Sequence, residues 1–340
     1  MKSKVKWGVL GTANLHDDPL LRAISSVTNG EVQAISDGDH FDSCEELLND
    51  PSIDIVYIRL PINLYREWTI KAARHKKHVL WEQPGALNAE EAEQVLAACQ
   101  EHNVTFFESF FCDFHPQHEK VKELIRDQLI GDVKMMRASF SYHPGNEMRH
   151  AGYHPKLEEG VLFTLGPYCV NAIRHILGGE PTSVVANGVA DHHGVDMTVC
   201  GILNYPNNIC AVFDCSSEMM MRNEYEVIGT KGRITASFAY RPDLNKGNGI
   251  LCVQTNTSTF EITINDNQYV RAVEHISDCI LTGTERSCPG ENTRNNMKVI
   301  DAVHKSLKNG CVVSTRQAVT KREDDDWGAE CGIAALFCRK

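Results

Sequence analysis

From Val5 to Glu108, short apolar runs alternate with helical patterns, and this alternation constrains the fold more than any other feature. Val5–Leu10, Glu31–Ser36, Ile53–Ile58, His78–Trp81 and Val104–Glu108 read as strands. Between them, Pro19–Val27, Ser43–Asn49, Tyr65–His75 and Ala89–His102 read as helices. Leu20, Leu21, Ile24 and Val27 fall on one helical face, Ser43 is a good N-cap before an acidic turn, and Asn88 caps the long helix. Strands that alternate with helices in this way pair in parallel, with helices on both faces.

The pattern changes near residue 120. After a helix at Val121–Gln128, longer strand-like runs appear at Lys134–His143, Ser183–Val189, Thr198–Tyr205, Ile209–Ser216, Glu224–Gly229 and Arg233–Ser237. Short polar turns join several of them, which predicts a large, mostly antiparallel open sheet. Gly166–Leu177 reads as its interior helix, and Val270–Leu281 and Asn295–Asn309 as further helices. A chain of 340 residues is comfortable for two domains. The expected division is 1–120 and 121–340.

The bulk numbers exclude several classes. A net charge of −11 with no basic stripe argues against nucleic acid as a partner. No run approaches the roughly 20 apolar residues of a membrane span. Met1–Lys6 is basic, but the apolar run Trp7–Leu10 is too short for a secretory signal. The 13 cysteines are odd in number, scattered, and never spaced CxxC. Free thiols in a reducing cytoplasm are the expectation, not disulfides or a zinc site.

Gly8-x-x-Gly11-x-Ala13 lies between the first strand and the first helix. Residues without bulk there let backbone N–H groups reach a diphosphate, the mark of a Rossmann-type dinucleotide-binding sheet. The fold class expected is therefore α/β: a doubly wound parallel sheet of that type, plus a C-terminal α+β half. An acid that could hold a ribose is expected about 20 residues on. Asp37, beside Ser36, is the candidate. A crossover needs at least about 10–12 residues, and none fits between Ser36 and Ser43, so the adenosine side is expected to be curtailed. Arg59 ends the third strand, where ligands bind in such sheets, and could hold a phosphate or carboxylate.

Several segments in order resemble the glucose–fructose oxidoreductase/inositol dehydrogenase/MocA family, and within it the dihydrodiol-dehydrogenase type. They are Trp7–Asn14, Glu45–Leu48 with Asp50-Pro51, Glu67–Ala72, Lys77–Leu80 with Glu82 and Pro84, His115–Gln117, and Gly229–Arg233. The resemblance implies NAD or NADP bound by Gly8, Gly11, Thr12, Ala13, Asn14, Asp37, Leu60, Pro61, Asn63 and Glu82. It implies hydride transfer to or from a sugar, polyol or cyclic diol. It places the chemistry at Gln83, Thr164 and Tyr168. Two of these depart from the family pattern. The family's Glu-Lys-Pro reads Glu82-Gln83-Pro84, and Thr164 stands where an aspartate is usual. Gln83 cannot exchange a proton near neutral pH. The segment after the second strand is also shorter than in the family.

Tyr168 needs a nearby positive charge to work at neutral pH, and the usual lysine is absent. His150 or His154 could substitute as acid or base, because that loop borders the pocket in the family. His143, His150, His154, His192 and His193 lack metal-ligand spacing, so no metal is expected. Cys112, beside Asp113, has no basic neighbour in sequence and reads as packing. Two functions stay open: an NAD(P)-dependent oxidoreductase on a small substrate, or a catalytically degenerate ligand-binding or regulatory protein. A homodimer through the C-terminal sheet is expected, with Ile202, Val212 and Phe213 supplying apolar surface.

Overall fold

The computed structural model describes residues 3–11, 18–36, 41–81, 83, 86–143, 160–284 and 289–315. Among them are two large sheets. The first is parallel and holds β1 (Val5–Leu10), β2 (Gly30–Ile35), β3 (Ile55–Ile58), β4 (His78–Trp81) and β5 (Phe106–Glu108), in the order β2-β1-β3-β4-β5. Helices α1 (Pro19–Ser26), α2 (Phe41–Asn49), α3 (Ile62–Arg74) and α4 (Ala89–His102) alternate with these strands.

Side chains alternate across each strand, so β1 serves two layers. Val5, Trp7 and Val9 are fully buried against Leu20, Leu21 and Ile24 of α1, and against Val273 and Ile276 of α8 (Gln268–Thr282). A helix from late in the chain thus closes one face of the first sheet. Asn29 pins it, donating to the Glu274 carbonyl at 3.0 Å and to Asp278 at 2.8 Å. Gly8 points the other way. A Cβ there would come within 2.6 Å of Leu47 and 3.1 Å of Ile53, so the glycine lets α2 lie against the strand.

The strand order corrects one expectation about room. No separate crossover is needed between Ser36 and Ser43, because α2 is itself the crossover. The chain leaves β2, runs through α2, and enters β3 on the far side of β1. The result is the six-stranded dinucleotide-binding order, 3-2-1-4-5-6, without its outermost third strand. β2 is the edge of the sheet.

The second sheet runs β13-β12-β11-β10-β6-β9-β8-β7-β14. Its strands are β6 (Val133–Ser141), β7 (Ser183–Ala190), β8 (Asp196–Asn204), β9 (Cys210–Ser216), β10 (Arg222–Gly229), β11 (Gly232–Ser237), β12 (Asn248–Thr255), β13 (Thr259–Asn265) and β14 (Val313–Ser314). β6 and β9 are parallel; the other neighbours are antiparallel. α5 (Pro116–Arg126), α6 (Val161–Thr164), α7 (Gly166–Leu177) and α9 (Pro289–Asn309) complete the described helices. Met136, Ala138, Phe140, Ala211, Phe213, Tyr225 and Val227 form the inner, buried side.

Several boundaries differ from expectation for identifiable reasons. α5 and α9 begin earlier, at Pro116 and Pro289, because proline is well suited to the first helical position. α2 is already helical at Phe41, so Ser43 lies inside it rather than at its N-cap. β12 and β13 were missed because their outer residues are polar and β13 has no fully buried position. Phe213 faces the helices and is fully buried, its ring against Gly201, so it supplies no outer surface; Ile202 does, at 40% exposure.

A buried polar network joins the two sheets. Thr293 of α9 donates to Glu108 at the end of β5, at 2.6 Å. Asn171 of α7 donates to both carboxylate oxygens of Asp113, at 3.0 and 2.8 Å. Asn292 links Asn171 to Arg174, which also forks onto Glu180 at 2.7 and 2.6 Å. Burial pushes the Glu108 carboxyl up to about 7, against the opposing bond from Thr293. Its folded pKa lies above the unfolded value of about 4.3. Its stabilising contribution is therefore full below about pH 4 and lost as pH rises through about 7. Glu108→Gln keeps an acceptor for Thr293 and removes the charge. Urea unfolding at pH 5.5 and 8 is expected to show wild type losing on the order of 2 kcal/mol more than the variant across that interval. Parallel losses in both proteins refute this account.

Candidate functional site

The switch point of a doubly wound sheet lies where neighbouring strands send their connections to opposite sides, and ligands bind in the crevice at its carboxyl edge. Here that point lies between β1 and β3. Gly11 follows β1 with φ +116°, a conformation that L side chains rarely adopt. A Cβ at this position would sit 2.5 Å from the Arg59 carbonyl oxygen. The Gly11 N–H donates to Ser36 Oγ at 2.9 Å, Ser36 N–H donates to the Val9 carbonyl, and Arg59 N–H donates to the Leu10 carbonyl at 2.8 Å. Ser36 Oγ also lies 3.2 Å from Cys44 Sγ. The ends of β1, β2 and β3 are thereby locked into one narrow seam.

Arg59 stands on this seam and bonds to Asp18 at 2.6 Å. The other carboxylate oxygen of Asp18 caps α1, accepting from Leu20 N–H at 2.8 Å and Leu21 N–H at 3.1 Å. Pro19, at the first helical position, has no N–H to offer. Across the seam, Leu60 is buried and Pro61 is the N-cap residue of α3, with no side-chain cap; Asn63 is exposed on its first turn.

Gln83 follows β4. Its backbone N–H donates to Ser109 Oγ at 3.0 Å. Its amide lies close enough to Glu108 to lower that carboxyl's pKa, yet both amide atoms are buried and find no partner at hydrogen-bond geometry among the described residues. An unsatisfied buried amide costs about 1–3 kcal/mol and calls for an explanation. One residue beyond Ser109, Phe110 packs edge-on against Tyr168, with ring centroids 5.8 Å apart. Tyr168, in the first turn of α7, also meets Phe140 at 5.5 Å and Tyr240 at 6.3 Å. The β5 end therefore carries contacts to both of these candidates.

Thr164 is buried, and its hydroxyl donates to the Gly160 carbonyl one turn back at 3.0 Å, a local helical bond. Burial, with Asp113 beside it, holds the Cys112 thiol well above its ordinary value, so it is no thiolate at neutral pH. His118 is pushed down to about 3, mainly by burial, and is fixed by Tyr225 and the Ala239 carbonyl. Thr12, Ala13, Asn14, Asp37, Glu82, His150 and His154 lie outside the described residues.

Two features escaped the sequence reading. Asp18-Pro19 is a legible cap-and-proline signature that does more than start a helix. Arg241 had no local signal. It is a buried cation forked onto Asp243, at 2.9, 3.1 and 2.8 Å. Burial lowers its pKa, but Tyr269, then Asp243 and Tyr168, raise it above the ordinary value. Arg241, its charge paired with Asp243, also interacts electrostatically with Tyr168.

The residues present fit a dinucleotide laid across β1 and β3, where a Cβ at Gly11 would obstruct the seam and an orphaned amide waits at Gln83. They differ from the ordinary site at α1, whose first-turn donors Asp18 already holds.

Comparison with known proteins agrees with this architecture. Residues 9–110 match the model of an oxidoreductase family with an NAD-binding Rossmann fold, and residues 118–235 match the GFO/IDH/MocA C-terminal domain. A D-xylose 1-dehydrogenase (NADP(+)) of Haloferax volcanii is 30% identical over 326 residues, 90% of this chain and 98% of that protein. A trans-1,2-dihydrobenzene-1,2-diol dehydrogenase of Xenopus laevis is 29% identical over 304 residues, covering 83% and 91%. Among solved structures, a 3-ketoreductase from Actinomadura kijaniata, crystallised with TDP-benzene and NADP, superposes with a TM-score of 0.79 at 23% identity, covering 89% of this chain and 98% of that one. An aldose-aldose oxidoreductase from Caulobacter crescentus gives 0.81 at 22% identity, covering 92% and 99%. With both halves matched in order on a two-sheet fold, the chain belongs to the glucose–fructose oxidoreductase/inositol dehydrogenase/MocA family of oxidoreductases.

Proposed function

We propose that this protein is an NAD(P)-linked oxidoreductase acting on a small sugar, polyol or cyclic diol, with a proton relay altered from the family pattern. The observation that carries this reading is the orphaned amide of Gln83, reached through the same strand end that packs Phe110 on Tyr168. A buried amide without partners is tolerated where a ligand's polar groups complete it.

In this reading the crevice at Gly11, Ser36 and Arg59 holds the dinucleotide, with Leu60, Pro61 and Asn63 on the β3 side. When bound, the nicotinamide supplies a hydride donor or acceptor. Gln83 orients the reacting hydroxyl or carbonyl as a neutral hydrogen-bonding group. Tyr168 carries the proton, in an aromatic setting with Phe110, Phe140 and Tyr240. Thr164 serves the helix, its hydroxyl donating to the Gly160 carbonyl. The nucleotide contacts come from residues before the boundary near residue 120, and the substrate lies between Gln83 before it and Tyr168 after it.

A second reading, a ligand-binding or regulatory protein without hydride transfer, draws on Asp18, which occupies the α1 donors a diphosphate would use. Titration with NADH and NADPH, followed by nicotinamide fluorescence, separates the two. Binding below millimolar concentration and turnover on a sugar and diol panel are expected. No binding at millimolar concentration favours the second reading. Tyr168→Phe is expected to lower kcat 100-fold or more, in the range of general acid–base catalysis, with cofactor affinity unchanged. An unchanged kcat removes Tyr168 from the relay.

We also propose that the outer face of the second sheet pairs two copies of the chain, with Ile202 and Val212 at the contact. These residues are cross-strand partners on the solvent side. Ile202→Glu is expected to shift the light-scattering mass from dimer to monomer; a wild-type monomer at micromolar concentration disproves the pairing. The ten cysteines among the described residues are all unpaired, which supports a reducing, cytoplasmic setting. No helix among the described residues is long and apolar enough to cross a membrane.

A further inference from the structure

In a dinucleotide-binding sheet the diphosphate ordinarily rests on free N–H groups at the start of the first helix. The described α1 has none to give in its first turn. Pro19 lacks the hydrogen, and the Leu20 and Leu21 amides donate to Asp18 Oδ1. A diphosphate entering the β1–β3 crevice therefore meets a carboxylate where an ordinary site offers partial positive charge. Asp18 is almost enclosed, its side chain 7% exposed, so the solvent does little to screen it.

Arg59 offsets that charge. Its guanidinium holds Asp18 Oδ2 at 2.6 Å, and its side chain is 27% exposed at the carboxyl edge of β3. Position 59 is fixed from both sides, by its N–H on the Leu10 carbonyl and by its own carbonyl abutting Gly11. A guanidinium has five donors in a rigid fork that matches two phosphate oxygens. The same fork that engages Asp18 is thus anchored at the point where a diphosphate crosses the seam.

We propose that Arg59 is the phosphate-holding residue of this crevice and that Asp18 is its internal competitor. The incoming diphosphate displaces Asp18 from the guanidinium, so the pair sets how tightly the chain takes a dinucleotide. The inference rests on the dinucleotide reading above and adds the residues that tune it.

The test uses the full chain with NADH and NADPH, each followed by nicotinamide fluorescence, and inorganic pyrophosphate as competitor. Asp18→Asn keeps an N-cap acceptor for Leu20 and Leu21 while removing the competing charge. It is expected to tighten NADH binding about tenfold, equivalent to about 1.4 kcal/mol. Arg59→Gln is expected to weaken binding at least tenfold and to abolish displacement of NADH by pyrophosphate. Arg59→Lys is expected to recover only part of the loss, because an ammonium lacks the fork. Thermal melts by circular dichroism verify that each variant is folded. Wild-type affinity in folded Asp18→Asn and Arg59→Gln overturns the proposal, making the pair purely structural. Weaker binding in Asp18→Asn also overturns it, because Asp18 then serves the ligand. If neither wild type nor Asp18→Asn binds NADH or NADPH, the dinucleotide reading itself fails and takes this inference with it. If wild type is silent and Asp18→Asn binds, the competitor role stands.

Discussion

Much of this molecule hangs on the close approach of two backbones where β1 ends. The space between Gly11 and the Arg59 carbonyl cannot hold a Cβ, and the glycine's φ of +116° suits no ordinary L residue. That approach sets how far β1 runs before it turns, and so where the α1 connection and the β3 end face each other. Ser36, Arg59 and Asp18 take their positions from it. The crevice is a consequence of the seam, and its chemistry follows from which side chains the seam presents.

Those side chains keep their charges in pairs. Arg59 holds Asp18, and Arg241 holds Asp243. At the end of β4, Gln83 contributes hydrogen-bonding capacity without charge. A pocket of this kind offers incoming ligands geometry and dipoles more than net electrostatic attraction. In the competition proposed for Arg59, an anionic ligand exchanges with the Asp18 carboxylate. Buried pairs of this type are sensitive to the loss of one partner, because the other charge is left stranded.

The polar network at Glu108, Asp113, Asn171, Arg174, Asn292 and Thr293 ties the carboxyl edge of the first sheet to α7 and α9. Gln83 and Tyr168 reach their positions through the same strand end. Their geometry therefore depends on how the two sheets dock as well as on local loops. α8 strengthens that dependence, since it leaves the second sheet and packs on α1 and β1.

The strand–helix alternation, the antiparallel half, the glycine turn and the family were legible in the chain itself. Each is encoded locally, by apolar period, by turn residues, or by short motifs in order. The Pro116 and Pro289 helix starts and the Asp18-Pro19 cap are equally local, carried by proline and capping signals rather than by apolar period. The Asp18–Arg59 pair, the interaction of Arg241 with Tyr168, the orphaned state of Gln83, the buried aspect of Phe213 and the return of α8 to the first sheet were not written in any window. Each joins residues far apart in sequence, and their distances and burial are set by the packing of whole layers. The sequence thus determined which elements form and which residue types stand at their ends; only the tertiary structure decided which of those ends meet, because contact between distant segments is a property of the assembled core.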